Sequence, residues 1–255
     1  MVLKIEHFVI FVTIGMLTGC KERAFSLSTT TANQVTIDSL LSENDSVNAF
    51  ILPYHDRINQ VLDSALAYAP NVITKEDGVY NTSAGNLMAD IILLEANPIF
   101  NSRTGQNIDF ALMNHGGIRS IISKGKVSAR TAYEVMPFEN SIAVVELSGR
   151  SVQHLVQFLV RAKRPHPIAG LEITVDGLGE LKSIRIQGEP FNKNRNYFVA
   201  TSDYLVSGGD DMVFFKDAIH ITDTDYLIRN AMIDYFKKVD TLRADVDDRF
   251  VQIKD

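Results

Sequence analysis

Cys20 is the only cysteine in 255 residues. Without a second thiol the folded core has no internal disulfide, no thiolate nucleophile and no cysteine-based metal site, so its stability rests on burial. Basic charge is also in short supply. Lys and Arg number 25 against 31 Asp and Glu, a formal net charge of −6. A nucleic-acid groove needs clustered cations and usually a basic balance, so nucleic acid is not the expected partner. The local cluster Arg161-Ala162-Lys163-Arg164 reads instead as the last turn of a helix, where the macrodipole favours cations. The apolar stretch Phe8–Leu17 is ten residues long, well short of the ~20 that a spanning helix requires. The 6 histidines are scattered, and none falls in the D-x-H, G-N-H-[DE] or G-H-x-H patterns that supply ligands to two-metal hydrolytic sites. His115 therefore reads as a turn or surface histidine, and no metal or other cofactor is expected in this chain. Internal repeats and low-complexity tracts are absent as well.

What is present starts with an export pattern. Lys4 supplies a weakly basic start, Phe8–Leu17 the apolar segment, and Leu17-Thr18-Gly19-Cys20 resembles a lipobox. Residues 1–19 then read as a lipoprotein signal peptide, with cleavage before Cys20 and acylation of that cysteine. Acyl chains worth roughly 0.8 kcal/mol per buried CH₂ hold such a protein to a membrane. The alternative is a cleaved secretory signal with an incidental cysteine. Lys21 is not the Asp that tends to retain lipoproteins at the inner membrane, which favours the outer membrane or periplasmic face of a bacterial envelope. Residues 20–44 are rich in Ser and Thr and read as a flexible tether. Residues 45–255 form one domain with length enough for a sizeable core.

Within that domain, residues 45–69 hold a linker-type helix, by pattern Asn48 to Tyr68. Ile51, Tyr54, Ile58, Val61, Leu62 and Ala65 fall on one face, and Pro53 fits only near the first turn. Gly85–Ala96 predicts a second helix, with Leu87, Ile91 and Leu94 inward and Pro98 closing it. Ser128 caps a short helix through Val135. Ser141–Ser148 alternates as a strand, and Gly149 opens a helix carrying Val152, Leu155, Val156 and Leu159. Leu171–Val175 and Leu181–Ile186 form a hairpin around Asp176-Gly177. Tyr226–Tyr235 is helical and Phe250–Ile253 a last strand. Ile108–Met113 and Tyr197–Thr201 are apolar runs that read as buried strands. Helices and strands intermix, so the fold class is α/β (α+β mixed), a mixed sheet with packed helices.

Three polar motifs sit where turns belong: Asn114-His115-Gly116-Gly117-Ile118-Arg119, Met136-Pro137-Phe138-Glu139-Asn140, and Tyr204-Leu205-Val206-Ser207-Gly208-Gly209-Asp210. The first and third follow the two buried strands. Glycine pairs at a strand exit let the backbone turn through φ > 0 or approach a ligand closely. An Arg, an Asp, an Asn and two aromatic rings delivered this way suit a small polar molecule with a flat ring. Each residue taken singly also has an ordinary reading, as a core ring, a turn cap or a solvated charge; Asp211 is read as solvated.

These motifs, with Gly85-Asn86-Leu87-Met88-Ala89-Asp90, resemble the C-terminal, substrate-binding domain of the 5′-nucleotidase family, from about Phe50 to the C-terminus. The resemblance implies that Phe138 and Tyr204 clamp a nucleobase between their faces, a stack worth about 1–3 kcal/mol per base. Asp210 would accept hydrogen bonds from the ribose hydroxyls. Arg119 would reach ribose or phosphate, Asn114 would bond a ring edge, and Gly117 would let the backbone approach. In that family a separate N-terminal metallophosphatase domain holds two metal ions and does the chemistry. Only some 30 residues here lie between the export signal and the matching region. The expectation is therefore no catalytic residue in this chain, a separate metallophosphatase chain as partner carrying the divalent metals, and a nucleoside or nucleotide as ligand. The alternative is a nucleoside-binding lipoprotein without a hydrolytic role. The stretch before Gly85 runs Lys75-Glu76-Asp77-Gly78-Val79-Tyr80, where family members commonly carry arginine.

Overall fold

The structure, a computed structural model, describes Ile5, Val9, Ile10, Val12 and residues 27–253. Cys20 and its proposed acylation lie outside the described residues. The chain divides into two compact units, Met1–Phe50 and Ile51–Asp255. Residues 27–44 of the first carry no helix or strand.

In chain order the elements are α1 (Asp45–Leu62), β1 (Ala65–Ala69), α2 (Ser83–Thr104), β2 (Phe110–Leu112), β3 (Gly125–Ser128), α3 (Ala129–Val135), β4 (Ser141–Ser148) and α4 (Gly149–Ala162). They continue with β5 (Ile168–Ala169), β6 (Leu171–Val175), β7 (Leu181–Ile186), β8 (Glu189–Pro190), β9 (Asn196–Ser202), the short α5 (Asp203–Val206), β10 (His220–Leu227), α6 (Ile228–Lys238) and β11 (Phe250–Gln252). A five-stranded sheet in the order β10-β4-β9-β2-β5 is the centre, flanked by a four-stranded sheet β11-β6-β7-β8 and the pair β1-β3. The fold is mixed α/β, as the intermixed pattern predicts.

The central sheet explains why its inner strands β4, β9 and β2 read as largely apolar runs. Alternate residues enter two separate cores. Ala111 and Met113, Ile142 and Val144, and Ala200 face the core that α2 and α6 cover. Phe110 and Leu112, Val145 and Leu147, and Tyr197 and Val199 face the core that α4 and β6 cover. A strand buried on both faces has no polar side to alternate with. Each large side chain so buried contributes about 1.5–3 kcal/mol relative to exposure. The α4 stripe Val152, Leu155, Val156 and Leu159 is buried as expected. The helix ends at Ala162, with Lys163 in the left-handed region at φ 46°.

Four expectations are corrected. Helix α1 stops at Leu62, not Tyr68, because Ala65–Ala69 pairs antiparallel with β3 and buries Ala67 and Ala69. It begins at Asp45, so Pro53 lies beyond its first turn, and no residue of α1 is buried. Pro98 does not close α2, which runs on to Thr104 and ends at Gly105, φ 72°, whose N–H bonds the Asn101 carbonyl. Burial of Met88, Ile91, Ile92, Ala96 and Phe100 along α2 outweighs the ~3 kcal/mol that an interior proline costs. Leu94, expected inward, is exposed; the buried stripe passes through Met88 and Ile92 instead.

Candidate functional site

Strand direction places the site. Strands β2 and β9 are neighbours and run parallel, so the turns that follow them leave from the same end of the sheet. The Asn114 turn follows β2 and the Tyr204 turn follows β9. Strand β4 is antiparallel to β9, with Ile142 opposite Ser202, so the segment entering β4, Pro137 to Asn140, arrives at that end too. The carboxyl ends of parallel strands are where open α/β sheets leave room for a ligand. Three motifs, in which Asn114 and Asp210 stand 96 residues apart, thus meet at one end of the sheet.

They line one cavity of about 310 Å³, formed by Asn114, Gly116, Gly117, Arg119, Phe138, Asn140, Tyr204 and Asp210. That is at the small end of ligand cavities. All six residues that the sequence singles out for binding are in it: Asn114, Gly117, Arg119, Phe138, Tyr204 and Asp210. Gly116 and Asn140 join them; both stand inside the motifs but carry no earlier assignment.

The carboxylate of Asp210 is the hub. Asn114 Nδ2 donates to its Oδ2 at 2.8 Å, and the Tyr204 hydroxyl donates to its Oδ1 at 3.0 Å. A carboxylate offers about four lone-pair sites, so one on each oxygen remains for a vicinal pair of hydroxyls. The contact with Asp210 holds the Tyr204 phenol above its usual pKa. Asn114 is buried, and its amide hydrogen is directed at Asp210, which makes it a holder of the carboxylate as well as a wall of the cavity.

The turn after Tyr204 carries left-handed backbone. Gly208 (φ 88°), Asp210 (φ 52°) and Asp211 (φ 60°) all adopt left-handed conformations. For residues with a Cβ, sparsely populated conformations of this kind cost of order 1–3 kcal/mol each and persist where surrounding structure imposes them. Gly209 has a different reason for being glycine. A Cβ there would fall within 2.7 Å of Tyr204 ring carbons, so the phenol packs directly on the bare backbone. Asp211 is exposed, as read.

The rings sit at the mouth. Phe138 is 39% and Tyr204 45% exposed, far more than the core aromatics. The Arg119 guanidinium lies 5.6 Å from the Phe138 centroid and donates to the Gly116 carbonyl at 3.3 Å. A cation over a ring face is an attraction of about 0.5–1 kcal/mol at exposed sites.

Behind the cavity, His115 lies in its turn but is buried, and its backbone N–H donates to Nδ1 of the buried His166 at 3.3 Å. The two residues are 51 apart in the chain, so spacing alone conceals the contact. Burial and then the charge of Lys75 hold His115 below its ordinary pKa. Burial and then Arg164 bring His166 down to about 4. Among the described residues no group of three or more His, Cys, Asp or Glu side chains is placed to hold a metal ion. Lys75 is the cation that stands in the stretch before Gly85, and its Nζ donates to the Ile118 carbonyl, between Gly117 and Arg119, at 2.8 Å.

Comparison with known proteins follows the same outline. The family model described as 5′-nucleotidase, C-terminal domain, matches residues 65–217. Cell wall protein Lmo0130 of Listeria monocytogenes is 25% identical over 203 residues, 72% of this chain and 26% of that protein. Trifunctional nucleotide phosphoesterase protein YfkN of Bacillus subtilis is 27% identical over 225 residues, 80% of this chain and 15% of that protein. Among solved structures, the 5′-nucleotidase precursor of Thermus thermophilus superposes with a TM-score of 0.68 at 23% identity, covering 82% of this chain and 43% of that one. The chain therefore spans well under half the length of these relatives.

Proposed function

The chain belongs to the 5′-nucleotidase C-terminal domain family, and from that premise we propose that it is the nucleoside-recognition half of a 5′-nucleotidase-type phosphohydrolase. Phe138 and Tyr204 stack on the base, Asp210 takes the ribose hydroxyls through its two free lone-pair sites, and Arg119 orients the phosphate. Asn114 and Gly117 wall the cavity. The hydrolytic metals belong to a separate metallophosphatase chain, and this chain's contribution to rate is orientation of the substrate. Export and acylation at Cys20 place the pair at the cell envelope, in breakdown of nucleotides outside the cytoplasm.

The observation that carries this reading is the convergence of all six residues on one cavity with Asp210 between Asn114 and Tyr204. The experiment is calorimetric titration of the purified chain with adenosine and AMP, with turnover assays in divalent metal, alone and after addition of a metallophosphatase chain. Micromolar nucleoside binding, no turnover alone and turnover in the mixture support the proposal. Appreciable turnover by the isolated chain would defeat it.

A nucleoside-binding lipoprotein without a hydrolytic role is the second reading. It is favoured by the stretch before Gly85, Lys75 to Tyr80, which holds no arginine and whose one cation, Lys75, donates to the Ile118 carbonyl. Equal affinity for adenosine and AMP supports it, since a phosphate-orienting site prefers the nucleotide.

A further inference from the structure

Arg229 breaks two local rules. It is a cation in the first turn of α6, where the helix dipole favours anions, and it is only 4% exposed. Its Nε is buried with no hydrogen-bond partner among the described residues. A buried charge is weak evidence for stability, because an apolar side chain of similar volume often serves the core as well or better. Violations of this kind are expected where a residue serves a site rather than the fold.

What Arg229 touches indicates that service. Its Nη1 donates to the carbonyls of Pro137 at 3.4 Å and Phe138 at 3.2 Å, and its Nη2 pairs with the Glu139 carboxylate. The guanidinium lies 4.1 Å from the Tyr133 ring centroid, which fixes its plane. One residue earlier, the Ile228 N–H donates to the Asn140 carbonyl at 3.0 Å. The N-terminus of α6 thus grips the segment from Pro137 to Asn140 through the carbonyls of Pro137, Phe138 and Asn140 and the carboxylate of Glu139. It can do so because Leu227, the last residue of β10, pairs with Ser141, the first of β4. Pro137, Phe138 and Glu139 are otherwise exposed and would relax toward water if released.

We propose that Arg229 is a positioning residue for base recognition: its forked contacts to the backbone on either side of Phe138 set the plane in which that ring meets a base. The proposal rests on the reading of Phe138 as a stacking ring. A planar fork can hold two carbonyls and a carboxylate at once, whereas a lysine ammonium, a single point charge on a flexible stem, cannot.

The test is calorimetric titration of the full chain with adenosine, on wild type, Arg229→Met, Arg229→Lys, Tyr133→Leu, Phe138→Ala, and each Arg229 and Tyr133 variant combined with Phe138→Ala. Thermal unfolding is followed in parallel. The expected result is a loss of about tenfold in affinity for Arg229→Met and Arg229→Lys, within the range one base–aromatic stack is worth. The unfolding midpoint of Arg229→Met stays near the wild-type value, a split that a merely structural residue does not produce. In the Phe138→Ala background the Arg229 substitutions cost nothing further, since coupled residues are not additive. Should the Arg229 variants fail to fold, the exposed Tyr133→Leu decides: it lowers affinity severalfold, and only when Phe138 is present. Unchanged affinity in the Arg229 or Tyr133 variants, or full additivity with Phe138→Ala, overturns the positioning role. Wild-type affinity in Phe138→Ala itself overturns the stacking reading beneath it, which is a separate outcome.

Discussion

Tyr204 and Asp210, six residues apart across a turn of left-handed backbone, are joined by a hydrogen bond of 3.0 Å from the phenol to the carboxylate. The bond ties the ring proposed to stack on a base to the group proposed to hold the sugar. It makes the two a single unit, oriented from the other side by Asn114 at 2.8 Å.

Removing the hydroxyl separates the two roles. Tyr204→Phe keeps the ring face, and adenosine affinity is expected to stay within about threefold of wild type. Tyr204→Ala removes the face and is expected to cost about 1–3 kcal/mol. Titration calorimetry on both variants checks the pair; equal losses would mean that the hydroxyl, not the ring, is what matters.

Asp210→Asn keeps the shape and loses the charge. Charge-assisted hydrogen bonds are roughly twice as strong as neutral ones, so adenosine binding is expected to weaken by about tenfold or more. The sharper readout is discrimination: wild type prefers adenosine to its 2′,3′-dideoxy analogue, and the variant shows little preference. A wild-type chain indifferent to the two hydroxyls would remove Asp210 from sugar recognition.

Gly209→Ala tests the close approach. The added methyl enters the Tyr204 ring, so the ring is displaced and binding weakens by about tenfold. The turn lies at the surface, and the far-ultraviolet spectrum should be unchanged. Retained affinity would show that Tyr204 can stack from more than one position.

Acid should loosen the domain through His166. Burial and the Arg164 charge hold its folded pKa at about 4, against the opposing pull of Asp210, while an unfolded histidine titrates near 6.5. Between those values the unfolded chain binds more protons than the native one. The stabilisation is therefore fully present above about pH 6.5 and is lost as pH falls toward about 4. The gap corresponds to roughly 3 kcal/mol, and His115, also held low, acts in the same direction. Urea midpoints at about pH 7.5 and about pH 4.5 should fall accordingly, and His166→Asn should flatten the dependence. A midpoint independent of pH in this range would show that His166 is solvated.

Much of the fold is legible in local pattern. The hairpin around Asp176-Gly177 follows its turn chemistry, with Asp176 Oδ1 accepting from the N–H groups of Leu178 and Glu180. Helix α4 opens at Gly149 and follows its apolar stripe. Pattern fails where a long-range partner overrides a local signal. Ala65–Ala69 continues a helical periodicity until β3 claims it as a strand, and Pro98 reads as a stop until the core beneath α2 makes stopping more costly than continuing.

The site divides along the same line. Its chemistry was written into short motifs, because a glycine pair or an aromatic beside a turn is a local requirement readable within a few residues. That the motifs meet was settled by β9 lying parallel to β2 and antiparallel to β4, a choice made by side chains packing on both faces of the sheet. The same packing brought Arg229 under Phe138 and His166 behind His115. No spacing announces either contact, since each joins residues from separate elements whose only common cause is the shared core.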